Sequence, residues 1–541
     1  MKLAQSGVGM LRRELARGAQ VPLLIPLVGL MLGILIALGY GGSAAIVLAV
    51  ACLRNMFLRK WKDIFLLLAF SAAGWVRGFC AAEVPLPKYV NGNRRQIAIR
   101  IDRCTVHTYA SGRRIRGFAH IEEMENCHGK LGQCIYYNLA LGEGLPIPQR
   151  GQLLRVRAII HSTRNSKASF ERYLREVGIL SRIGSGTVTA VEPGSAADEF
   201  FAKVLARCTM SLQLAMDGSG QAGRIYEAML LGNRNGLSAK EKDTYSRAGV
   251  AHLFAISGLH IGIIASFLAF ATRWLGVSSW PLFAIRLLLL SAFVAMTGAS
   301  PSSVRALIMV TSFWAAPLFS RYSSSMPSLT AAAFITLLAR PLDLLNTGFQ
   351  LSYAVVFSLI AYGIPLGRRI QQLLVPRRKS FSRENKRPNK FRATAASCID
   401  MAAISFSTTI PLIPLSLYHF QTFSIGGIFI NPLVIPVAEI AILCGFCSLC
   451  CGLFGIFACC QLFNFFARPF LWAIVFLTSS TGAIPWVQSG ELAVSASVLI
   501  PWTAVTLFAI YCARSEGKGQ WKFIAPIVAA VFPLSLLPLI S

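Results

Sequence analysis

Acidic side chains are scarce. The 541 residues hold 23 Asp and Glu against 52 Lys and Arg, a formal net charge of +29, and only 14% of the chain is charged at all. So few charges beside 55% hydrophobic residues exclude a string of ordinary soluble domains and leave a chain that crosses a bilayer repeatedly. Histidine is thin as well. His107, His120, His128, His161, His252, His260 and His419 are scattered and form no HxHxDH run, which excludes a metallo-β-lactamase-type nuclease site. No GxxxxGK followed by Ser or Thr occurs, so the chain brings no nucleotide-driven motor of its own. The fourteen cysteines form no ligand array: Cys444, Cys447, Cys450 and Cys451 lie in an apolar run with no histidine near, and read as small buried hydrophobes. No cofactor and no metal ion is expected.

The basic excess fits anionic headgroups, positive-inside loops or a polyanion, and by charge alone lipid and topology are sufficient explanations. Lys2, Arg12, Arg13 and Arg17 precede apolar stretches near 21–39 and 43–58, and Arg54, Arg59, Lys60 and Lys62 precede a third that ends near Ala82. The positive-inside rule then puts the N-terminus in the cytoplasm and delivers residue 83 to the far side after three crossings. Further spans are predicted near 250–272, 281–297, 302–320, 326–340, 345–363, 399–420, 424–451, 453–480, 491–512 and 522–540. The fifth of these arrives inside at the most basic loop in the chain, which holds Arg368, Arg369, Arg377, Arg378, Lys379, Arg383, Lys386, Arg387, Lys390 and Arg392 against Glu384.

Between Pro85 and Pro193 the chain changes character. Ile97, Ile99 and Ile101 alternate, and RGFAHIEEM, CIYYNLAL and QLLRVRAIIH follow between glycine-containing turns, the pattern of short strands closing a small barrel. Thirteen basic residues, Arg113, Arg114 and Arg116 among them, face five acids between Arg94 and Lys167. Tyr109, Phe118, Tyr136 and Tyr137 are either a stacking surface for single-stranded nucleic acid or the barrel's core. An extracytoplasmic location would allow a disulfide closing CHGKLGQC, Cys127 to Cys134, with Cys104 as the competing partner. The stretch from Asp198 to Arg247 is too polar to span and is predicted to lie in the membrane interface as amphipathic helices.

The stretch GVAHLFAISGLHIGII, Gly249 to Ile264, opens a span yet carries His252, Ser257 and His260. Ser257 and His260 would share one helix face, with Gly258 and Gly262 keeping it low for another backbone. Ser300, Ser302, Arg305, Asn346, Gln350, His419, Asn431 and Glu439 also fall within apolar stretches, where each needs a partner or a wet cavity. Pro301, Pro432 and Pro436 signal broken helices. For most of these groups interhelical hydrogen bonds suffice. Arg305 is singled out, because a guanidinium there either pairs with an acid such as Glu439 or meets a passing phosphate. Ser257 with His260 could be a nucleophile and base, but nothing supplies an orienting acid or oxyanion hole, so no enzyme activity is expected.

Leu230 to Ile264, LLGNRNGLSAKEKDTYSRAGVAHLFAISGLHIGII, resembles the opening of the competence domain of the ComEC family. TGASPSSVRALIM, GFQLSYAVVFSL and PLSLYHFQTFSIGGIFINPLVIPV follow in the same order, and the upstream barrel segment is similar, more loosely, to that family's OB-like domain. The resemblance implies a bacterial inner-membrane channel that takes single-stranded DNA into the cytoplasm during transformation. It implies a periplasmic DNA receptor and a cytoplasmic helicase or translocase as partners, beside membrane lipid. The family's longer members carry a C-terminal nuclease-like domain, which this chain is expected to lack. The implied fold is a polytopic α-helical membrane protein with an inserted small all-β OB-like soluble domain. Its parts are N-terminal transmembrane helices (1–84), the OB-like domain (85–195), interfacial helices (196–248), the channel domain (249–512) and a last segment (513–541). In this reading the DNA path runs by Ser257, His260, Ser300, Arg305, Gln350, His419 and Asn431, and Arg113, Arg114, Arg116, Tyr136 and Tyr137 receive the strand. Two other classes compete: a small-solute transporter, which the soluble domain and the missing inverted repeat oppose, and a membrane scaffold with lipid-binding basic loops.

Overall fold

The structure is a computed structural model. It describes residues 21–510 except 39–43, 53–60, 83–93, 110–111, 125–133, 164–169, 175–178, 217–219, 276–278, 375–389, 421–423, 483–501, 507–509 and scattered single or paired positions. The expected spans near 43–58, 491–512 and 522–540 and most of the basic loop after Leu374 therefore lie wholly or largely outside the described residues, as does the 513–541 segment.

Two apolar helices come first, α1 (Leu24–Ala37) and α2 (Trp61–Ala82). Each carries a Gly-xxx-Gly pair, Gly29 with Gly33 and Gly74 with Gly78. The pairs let the two backbones touch: a Cβ on Gly33 would run into the Ser71 carbonyl, and one on Gly74 into the Leu30 carbonyl. In lipid no hydrophobic force drives helices together, so such close van der Waals contact is what holds them.

Five strands follow: β1 (Arg95–Tyr109), β2 (Gly112–Met124), β3 (Cys134–Ala140), β4 (Leu153–Ser162) and β5 (Ser181–Glu192). They close into a barrel in the order β1-β2-β3-β5-β4, with β3 and β5 parallel and β1 returning to β4. The alternation predicted a small closed barrel, and the strand order is that of the OB-like fold which the family resemblance implied. Ile97, Ile99, Ile101, Ile115, Ile121, Ile135, Leu139, Leu154 and Ile183 fill the interior. The described part of the chain is thus a helical membrane protein with a small β domain inserted.

Helix α3 (Ala196–Gln213) starts from a capping box, Ser195 with Asp198, and Asp198 also accepts from Arg100 of β1 at 2.8 Å. Burial raises the Asp198 carboxyl, but the Ser195 and Arg100 hydrogen bonds outweigh it and hold the group below its usual range. Phe200, Phe201 and Met210 stand exposed on α3. The next helix differs from expectation. In α4 (Gln221–Leu231), Ile225, Tyr226 and Ala228 to Leu231 are buried, so α4 is a core element and not a surface one. Its apolar positions are too dense for an amphipathic stripe, and tertiary packing takes all of them. Next come α5 (Ala239–Arg247), capped by Ser238 and Glu241, and α6 (Gly258–Thr272). Helices α7 (Ser279–Met296), α8 (Pro301–Ala315) and α9 (Ser325–Ala339) follow.

Helix α10 (Thr347–Ser358) runs through a π-helical stretch, Leu359–Gly363, into α11 (Ile364–Leu374). Pro365 has no N–H for the preceding turn, and the widened turn makes room for its ring. Helices α12 (Lys390–Phe420), α13 (Gly426–Leu453) and α14 (Phe457–Gly482) follow. Among the described residues, seven helices are long and apolar enough to cross a membrane, and α1, α6 and α9 are shorter apolar helices. Buried Asn464 of α14 donates to the Ser211 and Leu214 carbonyls at 2.7 and 2.8 Å, closing the end of α3. The expected breaks resolve unevenly. Pro301 is the first residue of α8, where its missing N–H costs nothing, whereas α13 continues through Pro432 and Pro436.

Candidate functional site

The barrel's outward face answers the question about its aromatics one residue at a time. Along β3 the side chains alternate, so Tyr136 is half-buried and faces out while Tyr137 lies in the core at 0% exposure. Tyr137 is therefore not available for stacking, which corrects its placement on a receiving surface. Burial and the Cys104 thiol push its hydroxyl far above the usual value. Tyr136 packs edge-on to Phe118 at 5.8 Å and to Phe170 at 4.9 Å, forming an outward aromatic cluster. Arg114 and Arg116 stand on the same face of β2 as Phe118, with Arg114 Nε donating to Asn138 Oδ1 at 3.2 Å. Arg113 is exposed at the strand's beginning, one residue off that face. The side chains of Arg103 and Tyr109 lie outside the described residues.

Cys104 and Cys134 are not joined. Cys104 packs against the core beside Tyr137, whereas Cys134 faces out opposite His120. Burial and the Asp102 carboxylate push the Cys134 thiol up to about 11, which keeps it protonated near neutral pH. Cys127 lies outside the described residues, and so does the proposed closure of Cys127 to Cys134.

In the membrane part, Ser257 and His260 are not two rungs of one helix face. Ser257 is the residue before α6, and its N–H and hydroxyl both reach His260 Nδ1, at 3.3 and 2.8 Å. Acceptance at Nδ1 assigns the ring proton to Nε2, which has no hydrogen-bond partner among the described residues although His260 is buried. The pair caps a helix, and among the described residues neither ring nitrogen meets a carboxylate. Among the described residues no neighbouring backbone closes on Gly258 or Gly262: a Cβ on Gly258 would meet Ala306 Cβ at 3.7 Å, and one on Gly262 would meet nothing within 4 Å. The close approach lies nearby instead, where Gly249 (φ +77°) rests against Gly427.

Ser300 caps α8 by accepting from Ser303 N at 3.2 Å, and Asn346 caps α10 by accepting from Phe349 N at 3.2 Å. The turn into α8 is strained, since Ala299 sits at φ 46° where a Cβ is disfavoured. Gly258 of α6 lies against Ala306, and Gly348 of α10 lies against Arg305, so two capped helix N-termini meet α8 at adjacent residues.

Arg305 is 5% exposed. Its Nη2 donates to the Gly348 carbonyl at 2.7 Å, while Nε and Nη1 have no hydrogen-bond partner among the described residues. The guanidinium lies over Phe349 and Tyr353, 6.0 and 5.9 Å from the ring centres, which are i and i+4 on α10. Glu439 is not its partner. The acid whose field reaches Arg305 is Asp343, in the short turn Pro341–Leu345 before α10. Sequence reasoning missed Asp343 because it precedes the span and carries no helical spacing to Arg305.

Gln350 and His419 are consumed by each other. His419 Nε2 faces Gln350 Oε1 at 2.9 Å, its Nδ1 faces Thr347 Oγ1 at 3.0 Å, and Gln350 Nε2 donates to Leu344 O at 3.0 Å. This network joins the end of α12 to the first turn of α10. Asn431 is half-buried in α13 near Gly427, and its Oδ1 has no partner among the described residues.

The family model described as "Competence protein" matches residues 229–515, just over half of the chain. The ComE operon protein 3 of Bacillus subtilis (strain 168) is 31% identical over 265 residues, covering 48% of this chain and 30% of that relative. The match thus spans less than a third of the relative's length. No solved structure matches the chain. The capped turns, Arg305 and the Gln350–His419 network all fall inside the matched region, and the chain belongs to the competence protein family.

Proposed function

We propose that this chain conducts a single strand of DNA across the bacterial inner membrane during DNA uptake in competence. One observation supports the reading: a buried guanidinium, Arg305, whose Nε and Nη1 have no hydrogen-bond partner among the described residues of an apolar bundle. Such a group suits an anion that comes and goes, and phosphate takes Arg donors in pairs. Helix N-termini meeting at α8 add positive dipole ends beside it. On this reading residues 249–512 form the channel, residues 85–195 receive the strand outside, and residues 1–84 anchor the chain with its N-terminus in the cytoplasm. The chain acts without catalysis. Delivery falls to a periplasmic DNA receptor and force to a cytoplasmic helicase or translocase, with lipid around the bundle.

The outward face of β2 and β3 fits the receiving role, since Phe118 and Tyr136 are aromatic and Arg114 and Arg116 flank them. The test is on purified full-length protein with single-stranded DNA. Tyr136→Ala is expected to weaken binding about tenfold, in the range of one stacked base. Arg114→Ala with Arg116→Ala is expected to weaken it and flatten its fall with salt, because fewer counterions are released. Affinity unchanged in both variants would remove this face from the path. Uptake of labelled DNA into the cytosol of a deletion strain carrying the unaltered chain tests conduction itself; label that stays outside, with the protein in the membrane, would overturn the reading.

Orientation has its own check. A reporter active only in the cytoplasm, inserted in the β4–β5 connection near Ser166, is expected to be silent. Activity there would reverse the topology and the receiving role together.

A further inference from the structure

Asp102, His120 and Cys134 come from three adjacent strands, and one ligand atom of each lies within 4.8 Å of the other two. The register explains the meeting. His120 stands directly opposite Cys134 across β2 and β3. The slip between Ile101 and Arg103 leaves Asp102 as an extra residue of β1. A bulge of this kind re-aims a side chain, and here the Asp102 carboxylate accepts from His120 Nε2 at 2.8 Å. All three residues are half-buried, so solvent reaches the cluster from one side.

Carboxylate, imidazole and thiol make a chemically selective set. Oxygen-only preferences exclude magnesium and calcium, while sulfur and imidazole together favour zinc and its neighbours. The geometry points to a divalent transition-metal site of the zinc class on the outside of the barrel, with Asp102, His120 and Cys134 as three protein ligands and water as the fourth. Bonds of roughly 2.0–2.3 Å set tetrahedral ligand atoms about 3.3–3.8 Å apart. Ion binding therefore opens the Asp102–His120 contact slightly and draws Cys134 inward, movements that side-chain torsions supply. On binding, the Cys134 thiol gives its proton to water; the proton that His120 Nε2 donates to Asp102 leaves that nitrogen through water and the ring keeps one on Nδ1, so Nε2 is free to ligate. No electrons are transferred. Two anionic ligands neutralise the dication, so the Arg340 cation beside Cys134 meets no net positive site.

The ion would tie β1, β2 and β3 at one point. Phe118 and Tyr136 are each two residues along their strands from His120 and Cys134, on the same face. Metal binding thus stiffens the surface that carries the aromatic cluster. It rests on the barrel geometry and stands or falls independently of DNA binding. The spacing of these residues in the chain gave no metal signal, because only the barrel closure brings them together.

The test uses the full chain in detergent with a thiol-free reductant. Titration with Co²⁺ is expected to give thiolate-to-cobalt charge-transfer absorption with tetrahedral visible bands, saturating at one ion per chain and abolished by Zn²⁺. Cys134→Ser is expected to lose the charge-transfer band, and Cys104→Ser, whose thiol faces the core, to keep it. An undiminished band in Cys134→Ser, or none in the unaltered protein, would overturn the site. A second measurement does not depend on any variant folding. Zn²⁺ is expected to slow alkylation of Cys134 in the unaltered protein, located by peptide mass, and equal rates with and without Zn²⁺ would also reject it.

Discussion

Arg305→Ala is expected to abolish DNA uptake while membrane abundance stays near that of the unaltered protein. Burying an ion costs several kcal/mol, and what answers Arg305 is one carbonyl, two ring faces and the field of Asp343. Losing the side chain strands the Gly348 carbonyl, a cost of about 1–3 kcal/mol. Breaking a buried ion pair would cost more, about 3–5 kcal/mol. Because Arg305 has no close carboxylate partner among the described residues to be left unpaired, the fold is expected to survive. Arg305→Lys should keep part of the activity, since an ammonium attracts phosphate as a point charge without the planar fork. Immunoblots of membranes beside transformation frequency decide the matter. A parallel fall in both would make Arg305 a structural residue, and normal uptake would remove it from the path.

Replacement of Gly74 by Leu is expected to have the largest effect on accumulation of the protein. A Cβ at Gly74 already meets the Leu30 main chain, so a leucine must push α1 and α2 apart along their whole contact. Nothing compensates in lipid, where separated helices simply exchange partners for acyl chains. Gly33→Leu should act alike through the Ser71 carbonyl. The control is Gly262→Ala on α6, whose Cβ would find open space and which should accumulate normally. Equal accumulation of Gly74→Leu and Gly262→Ala would show that the N-terminal pair does not depend on close backbone contact.

The contrast between these glycines shows where sequence reading stops. Gly258 and Gly262 beside Ser257 and His260 read as a notch for another helix, yet the notched helices are α1 and α2. Spacing identifies a small-residue stripe, but which stripe meets a backbone depends on helix rotation, and only packing sets that. The same limit applies to Arg305. Its cost in hydrocarbon is visible from the residue type, whereas its neighbours Asp343, Phe349 and Tyr353 lie about forty residues away in the chain and are brought near by the α8–α10 contact.

By itself the sequence determined the membrane character, the position of most spans and the inserted barrel. These follow from hydropathy over one helix length and from period-two alternation, which are local quantities. It also determined the family, because four motifs stand in order along one chain. The tertiary structure alone decided which aromatic faces out, since Tyr136 and Tyr137 are neighbours and a one-residue shift in register would exchange them. It alone turned Ser257, Ser300 and Asn346 into helix caps, because a cap is defined by where a helix begins. And it alone gathered Asp102, His120 and Cys134, whose meeting is set by a bulge and by strand register, neither of which leaves a periodic trace in the chain.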